Sequence, residues 1–251
     1  MRSGFYGNQI CWCRIVLCLT SVLSLIGCGM PGNGTSDAQA DLVASWPFDE
    51  GTGAQAGDAS GHDNVATLRN GGWGKGRMVG ALQMDGGNDG IVVVPLSDSL
   101  RATADEVTIM AWTYRTAEHN VAVVSHGYPA LFFGFHGPRF KWQVEHANGR
   151  MSACYADPSH VAELDRWIHI AATYNGWKVR LYADGVEICS KWAWGPLVMP
   201  EAPFTLSGYL NESGQIVDEM TGRIDDVRIY ARALSAKQIR EVAGIREGVS
   251  E

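Results

Sequence analysis

The sequence predicts an all-β fold, a two-sheet antiparallel jelly-roll sandwich with a short C-terminal helix. Three observations carry this expectation. Short runs of alternating apolar and polar residues recur along the chain, and the tight turns Asn148-Gly149, Asn175-Gly176 and Asp184-Gly185 separate several of them. Asn-Gly and Asp-Gly are the strongest short hairpin signals, because both turn residues tolerate positive φ. Beyond the N-terminal segment few long apolar stretches fall at helical spacing, while the chain holds 30 glycines and 9 tryptophans. The chain then closes on a strand that runs into a capped helix.

The N-terminal segment stands apart from the sandwich. Arg2 and Arg14 precede an apolar run from Ile15 to Ile26, too short to span a bilayer comfortably and suited to a signal-peptide core. It ends in Leu25-Ile26-Gly27-Cys28, which resembles a bacterial lipobox. By that resemblance residues 1–27 are a lipoprotein signal peptide, and the Cys28 thiol carries a diacylglycerol that anchors the protein to a membrane without spanning it. The competing reading is an ordinary secretory peptide cut near Ala38-Gln39-Ala40. Gly29 after Cys28, rather than an aspartate, fits outer-membrane sorting by analogy with enteric lipoproteins. The expected location is the bacterial cell envelope, at the outer membrane or cell surface rather than the inner membrane. Residues 28–40, rich in small and turn residues, read as a flexible tether. The domain then occupies residues 41–245, and residues 246–251 form a tail.

The net charge is −7, and it becomes −9 once Arg2 and Arg14 leave with the signal peptide. That balance argues against nucleic acid as a partner. Cys11, Cys13 and Cys18 lie in the signal segment, so only Cys154 and Cys189 remain in the domain. They are either a disulfide formed in an oxidising envelope or two buried free thiols.

The first strand is Leu42–Phe48, and its Pro47 marks it as an edge or bulged strand. Turn-rich loops at Asp49–Gly53 and Asp58–Asn64 follow, then short strands at Ala66–Leu68, Ala81–Met84 and Ile91–Val94. Glu106–Arg115 carries Val107, Ile109 and Ala111 on one face and Met110, Trp112 and Tyr114 on the other, so it reads as a central strand buried on both sides. Strands at Asn120–Ser125, Ala130–Phe135, Arg139–His146 and Arg150–Tyr155 form a meander, and Trp167–Tyr174, Trp177–Ala183 and Val186–Lys191 form a second. Phe204–Tyr209 precedes the closing strand. There Val227 and Ile229 alternate with Arg228 and Tyr230, and the same period places Asp225 on the apolar face. Ser235 and Gln238 have capping-box spacing, and Leu234 and Ile239 form the matching hydrophobic staple.

Several segments, taken in order, resemble the laminin-G-like jelly-roll domains of the concanavalin A-like superfamily. They are Trp46-Pro-Phe48, Asp58-x-Ser-Gly61, Gly80-Ala-Leu-x-Met-Asp-Gly86, Val107-Thr-Ile-Met-Ala-Trp112, Trp167-x-His-x-Ala171, Leu181-Tyr-Ala-Asp-Gly185 and Gly222-Arg-Ile-Asp-Asp-Val-Arg-Ile-Tyr230. Each is weak alone; seven in order cover Leu42 to about Val242. The resemblance implies two curved antiparallel sheets and a binding domain for glycans, proteins or other surface ligands.

It also implies a structural calcium held by Asp58, Asn64 and Asp225, since a hard cation collects carboxylate, amide and carbonyl oxygens. The loop departs from the family's usual glycine–asparagine–glycine ending, which bears on Asn64. Alternatively, Asp58 only caps its Ser-Gly turn and Asp225 only accepts backbone hydrogen bonds. Glycoside hydrolases of the superfamily carry a Glu-x-Asp-x-x-Glu or Glu-x-Asp-x-Glu strand, and no such run exists here. Asp218 and Glu219 are adjacent and would face opposite sides of a strand, and His169 reads as a packed sheet histidine. Trp192 and Trp194 share a face at i and i+2, with Trp177 across a turn and Tyr128 on a loop. These aromatics either fill the core, the default for indoles, or form platforms for sugar rings.

The expected function is therefore a lipid-anchored, non-enzymatic envelope or surface module for a glycan or an envelope protein. A structural accessory lipoprotein without ligand capture is the alternative, and a glycoside-active enzyme with a non-standard acid pair ranks below both.

Overall fold

The computed structural model describes residues 39–246. The signal segment, Cys28, most of the tether and the last residues of the tail lie outside the described residues. The strands are β1 (Leu42–Trp46), β2 (Gln55–Ala56), β3 (Ala66–Arg69), β4 (Gly72–Lys75), β5 (Gly80–Asp85), β6 (Ile91–Val94), β7 (Val107–Arg115), β8 (Val121–His126) and β9 (Leu131–His136). They continue as β10 (Arg139–Glu145), β11 (Met151–Tyr155), β12 (Trp167–Tyr174), β13 (Lys178–Ala183), β14 (Val186–Trp192), β15 (Phe204–Leu206), β16 (Tyr209–Leu210), β17 (Ile216–Val217) and β18 (Thr221–Tyr230). Two short helices, α1 (Asp98–Arg101) and α2 (Ala236–Val242), complete the described residues' main elements.

Two antiparallel eight-stranded sheets make the sandwich. The first runs β14-β13-β12-β7-β18-β5-β4, with β1 also on β18; the second runs β11-β10-β9-β8-β15-β6-β3-β2. One core fills the space between them. Val107, Ile109 and Ala111 of β7 meet Phe133, Phe135 and Trp142 of the second sheet in this cluster. Trp46 is fully buried within it and still satisfies its indole N–H, which donates to the Asn64 carbonyl at 2.8 Å.

As the apolar residues on both faces of β7 require, it lies between β12 and β18. Its outward Met110 joins Ala171, Tyr182 and Tyr230 in a second apolar cluster, which Leu234 and Ile239 cover. Helix α2 therefore lies on the outer face of the first sheet. Its entry is fixed by the capping box, with both reciprocal bonds between Ser235 and Gln238 present.

Among the described residues β1 pairs only with β18, in keeping with the edge role that Pro47 requires. Residues 221–224 of β18 pair with β5, and residues 227–230 pair with β1. β5 and β1 thus follow one another along a single side of β18. Opposite β7, the register of β18 shifts between Asp225 and Arg228, and Asp226 takes a positive φ of 48°. This bulge changes the parity of the strand. Ile224, Val227 and Ile229 all enter the core, whereas Asp225 stands across from Trp112. Strict alternation had placed Asp225 on the inward face of Val227; the bulge turns it to the outer face.

Candidate functional site

The changeover from β5 to β1 opens a cleft beside the bulge. It measures about 390 Å³, and Asp49, Arg77, Trp112, Asp225, Asp226 and Arg228 are among the residues that line it. Trp112 contributes an indole face, with the Arg77 guanidinium 5.0 Å from the ring centroid. His169 packs edge-on to the same indole at 5.2 Å; burial first, then Arg228, pushes its pKa down to about 3, so it is neutral at ordinary pH. It packs within the sheet against Trp112. Asp225 is 4% exposed and accepts the Arg77 backbone N–H at 2.7 Å. Burial raises its pKa to about 6, and the charges of Asp226 and Asp49 add to the rise.

Asp58 and Asn64 meet elsewhere. One Asp58 oxygen accepts the backbone N–H groups of Ser45 and Ser60, both at 2.9 Å; the other accepts from Ser60 Oγ and from the Asn64 backbone N–H. These bonds hold the Asp58 pKa below its usual value even though burial, the largest single influence, acts to raise it. The Asn64 side chain donates to the Val43 carbonyl and to Ser99 Oγ, and its oxygen accepts from Ser97 Oγ. The structure thus brings two of the three expected calcium ligands together in a clasp that fastens their loop to β1. Among the described residues no hydrogen bond links Asp225 to either.

Cys154 and Cys189 form a disulfide with their Cα atoms 6.0 Å apart. It joins β11 to β14, the end strands of the two sheets. The aromatic residues divide by location. Tyr128 stacks on Tyr209 with ring centroids 4.0 Å apart. Trp177, Trp192 and Trp194 do not enter the core: they are 67%, 72% and 48% exposed. Ala193 N–H donates to the Trp177 carbonyl at 3.0 Å, so the backbone at Trp177 runs beside the end of β14. β14 ends its sheet, so its side chains have no strand beyond to pack against. Lys178 Nζ lies 5.5 Å from the Trp192 ring, and the Arg150 guanidinium lies 5.4 Å from that of Trp194.

The structure adds an acidic group that sequence reasoning missed. One carboxylate oxygen from each of Asp85, Asp89 and Glu219 lies within 4.8 Å of the others. Asp85 and Asp89 are exposed, and Glu219 is 1% exposed. Burial is the main cause that raises the Glu219 pKa, with Asp85 and Asp89 adding to it. The sequence signal was limited to an Asp-Gly-Gly-Asn-Asp loop, and its partner lies about 130 residues further along the chain.

A family model described as the concanavalin A-like lectin/glucanases superfamily, laminin G type, matches residues 85–240, and the chain belongs to that family. No curated protein matches it in sequence. Among solved structures, the binding domain of Paraclostridial Mosquitocidal Protein 1 superposes with a TM-score of 0.67 at 16% identity, over 82% of this chain and 52% of that one. Domain 4 of AbnA, a GH43 extracellular arabinanase from Geobacillus stearothermophilus solved with arabinotriose, gives 0.63 at 17% identity, over 81% of this chain and 98% of that one. The receptor-binding domain of the botulinum neurotoxin C/D mosaic serotype gives 0.63 at 13% identity, over 82% and 51%. This chain spans about half the length of the two toxin chains. At these identities the likeness is one of fold.

Proposed function

We propose that the domain is a non-enzymatic glycan-binding module, lipid-anchored at Cys28 on the bacterial envelope. The tryptophan edge carries the reading: Trp177, Trp192 and Trp194 each present indole surface to solvent near the end of β14. A large indole usually lies inside, and an exposed one offers a flat apolar surface to the C–H face of a sugar ring. Lys178 and Arg150 beside the rings supply donors for hydroxyl or carboxylate groups. The arabinotriose held by the similar arabinanase domain supports a saccharide as the ligand class. The full Glu-x-Asp-x-x-Glu or Glu-x-Asp-x-Glu run of the family's hydrolases is missing from the sequence, which supports binding without hydrolysis. The Cys154–Cys189 bridge suits an oxidising compartment, in line with export.

The test is a glycan array probed with the wild-type protein and with the Trp192→Ala, Trp194→Ala double variant. Wild type should retain a defined set of glycans, and the variant should lose them with its thermal unfolding unchanged. Equal retention by both proteins would overturn the platform. For the anchor, Cys28→Ser should move the protein from the membrane fraction to the soluble fraction of the cell envelope. A variant that still sediments with membranes rules out lipidation at Cys28.

A further inference from the structure

We propose that Asp85, Asp89 and Glu219 form a divalent-cation site, calcium by the chemistry of its donors, where the chain crosses between the two sheets. Asp85 ends β5 in the first sheet, Asp89 lies in the loop leading to β6 in the second, and Glu219 stands just ahead of β18. Segments from both sheets therefore converge on one point.

The distances fit a shared ion. Two oxygens bound to one Ca²⁺ at about 2.4 Å each lie at most about 4.8 Å apart. The three carboxylates meet that limit. None of the three forms an ion pair among the described residues. Three like charges at this spacing repel unless a cation or a proton intervenes.

A second observation is independent of the grouping. Glu219 is 1% exposed, and its Oε2 accepts the backbone N–H groups of Asp89 at 2.9 Å and Gly90 at 3.2 Å. Its Oε1 is buried with no hydrogen-bond partner. A buried carboxylate oxygen left unpaired is costly, and a metal ligand is one of the few roles that removes the cost.

Two glycines keep the space beside these oxygens open. A Cβ at Gly87 would lie 3.3 Å from Asp85 Oδ1 and 3.4 Å from Asp89 Oδ1, so both oxygens border the volume over that residue. A Cβ at Gly90 would come 2.7 Å from Glu219 Oε1. The donors are all oxygen, and two of the three residues are exposed, which leaves room for water in the remaining positions. That donor set suits a hard cation; zinc favours nitrogen and sulfur. The site differs in every residue from the Asp58, Asn64 and Asp225 set that the family resemblance implied.

The experiment needs no glycan and is independent of the tryptophan platform. The purified protein is stripped with EDTA, and its thermal unfolding at pH 7.5 is followed as CaCl₂ rises to several millimolar, with isothermal titration in parallel. Wild type should gain several degrees and bind one Ca²⁺. The Asp85→Asn, Asp89→Asn double variant should unfold in EDTA at or above the wild-type temperature, since repulsion is relieved, and should show neither response. Asp225→Asn should keep both. Absence of a calcium response in wild type would falsify the site. A response that survives in the double variant or vanishes in Asp225→Asn overturns it too, because the ion then lies elsewhere.

Discussion

Asp225 accepts the backbone N–H of Arg77 at 2.7 Å, a contact between residues 148 apart in sequence. The bond pins the loop after β4 to the bulge in β18 and closes one side of the cleft. It places a carboxylate where water reaches it poorly, so its pKa rises to about 6 from an ordinary 3.8. Between these values the folded state holds a proton that the unfolded state has released. Stability therefore falls as pH rises from about 4 to 6 and stays reduced above. Asp225→Asn keeps an oxygen for Arg77 and removes the charge. Its unfolding free energy should exceed that of wild type by up to about 3 kcal/mol at pH 8, the equivalent of the shift. At pH 4 the two proteins should unfold alike in urea.

The buried histidines act in the opposite direction. Burial holds His126 down at about 4 and His169 at about 3. The unfolded chain protonates both near 6.5, so unfolding takes up protons between that pH and 4. Their stabilising contribution is complete above pH 6.5 and drains away as the pH falls through the folded values. Two histidines outweigh the single Asp225, so the melting temperature should drop from pH 6.5 to 4. His169→Gln should flatten the drop, and an unchanged slope would contradict the assignment.

The Cys154–Cys189 bridge closes a loop of 35 residues between the sheets. Loop-closure entropy assigns such a bridge roughly 4 kcal/mol. Cys154→Ser, Cys189→Ser should lose stability of that order in guanidinium unfolding, and a reductant should lower the melting temperature of wild type but not of the variant.

Gly134 faces the register shift in β8 between Ala122 and Val124. A Cβ there would run into the Val121 carbonyl and come within 2.8 Å of the Val123 nitrogen. Backbone cannot step aside as a flexible side chain can. Gly134→Ala should cost about 2–3 kcal/mol, in the range of overpacked cores, measurable by urea unfolding.

Much of the architecture was legible because local signals agreed with it. Asp184-Gly185 turns β13 into β14, Ser235 and Gln238 cap α2, and the apolar pattern of β7 matches its central place. Smaller pieces escaped. β4 reads Gly-Trp-Gly-Lys, whose glycines carry no strand preference, and its pairing is set by β5. β2, β16 and β17 have two residues each, too few to show any period. The orientation of Asp225 was misread because a bulge leaves no mark in an alternating pattern. Asp58 and Asn64, set with Asp225 as calcium donors from the sequence, meet in the structure because they share one short loop, a local event; the meeting of Glu219 with Asp85 depends on the pairing of β18 with β5 and had no local trace. For the tryptophans, burial was the default expectation, and only the strand order shows that β14 has no outer neighbour.

That end position has a consequence for recognition. A strand hydrogen-bonded along one side frays, and any ligand landing on it must first bear the entropy of stilling it. Cys189 lies in β14 three residues before Trp192, and its bond to Cys154 ties the strand to the opposite sheet. The ordering is thus completed during folding, so the oxidation state of Cys154 and Cys189 sets how rigid a surface β14 presents.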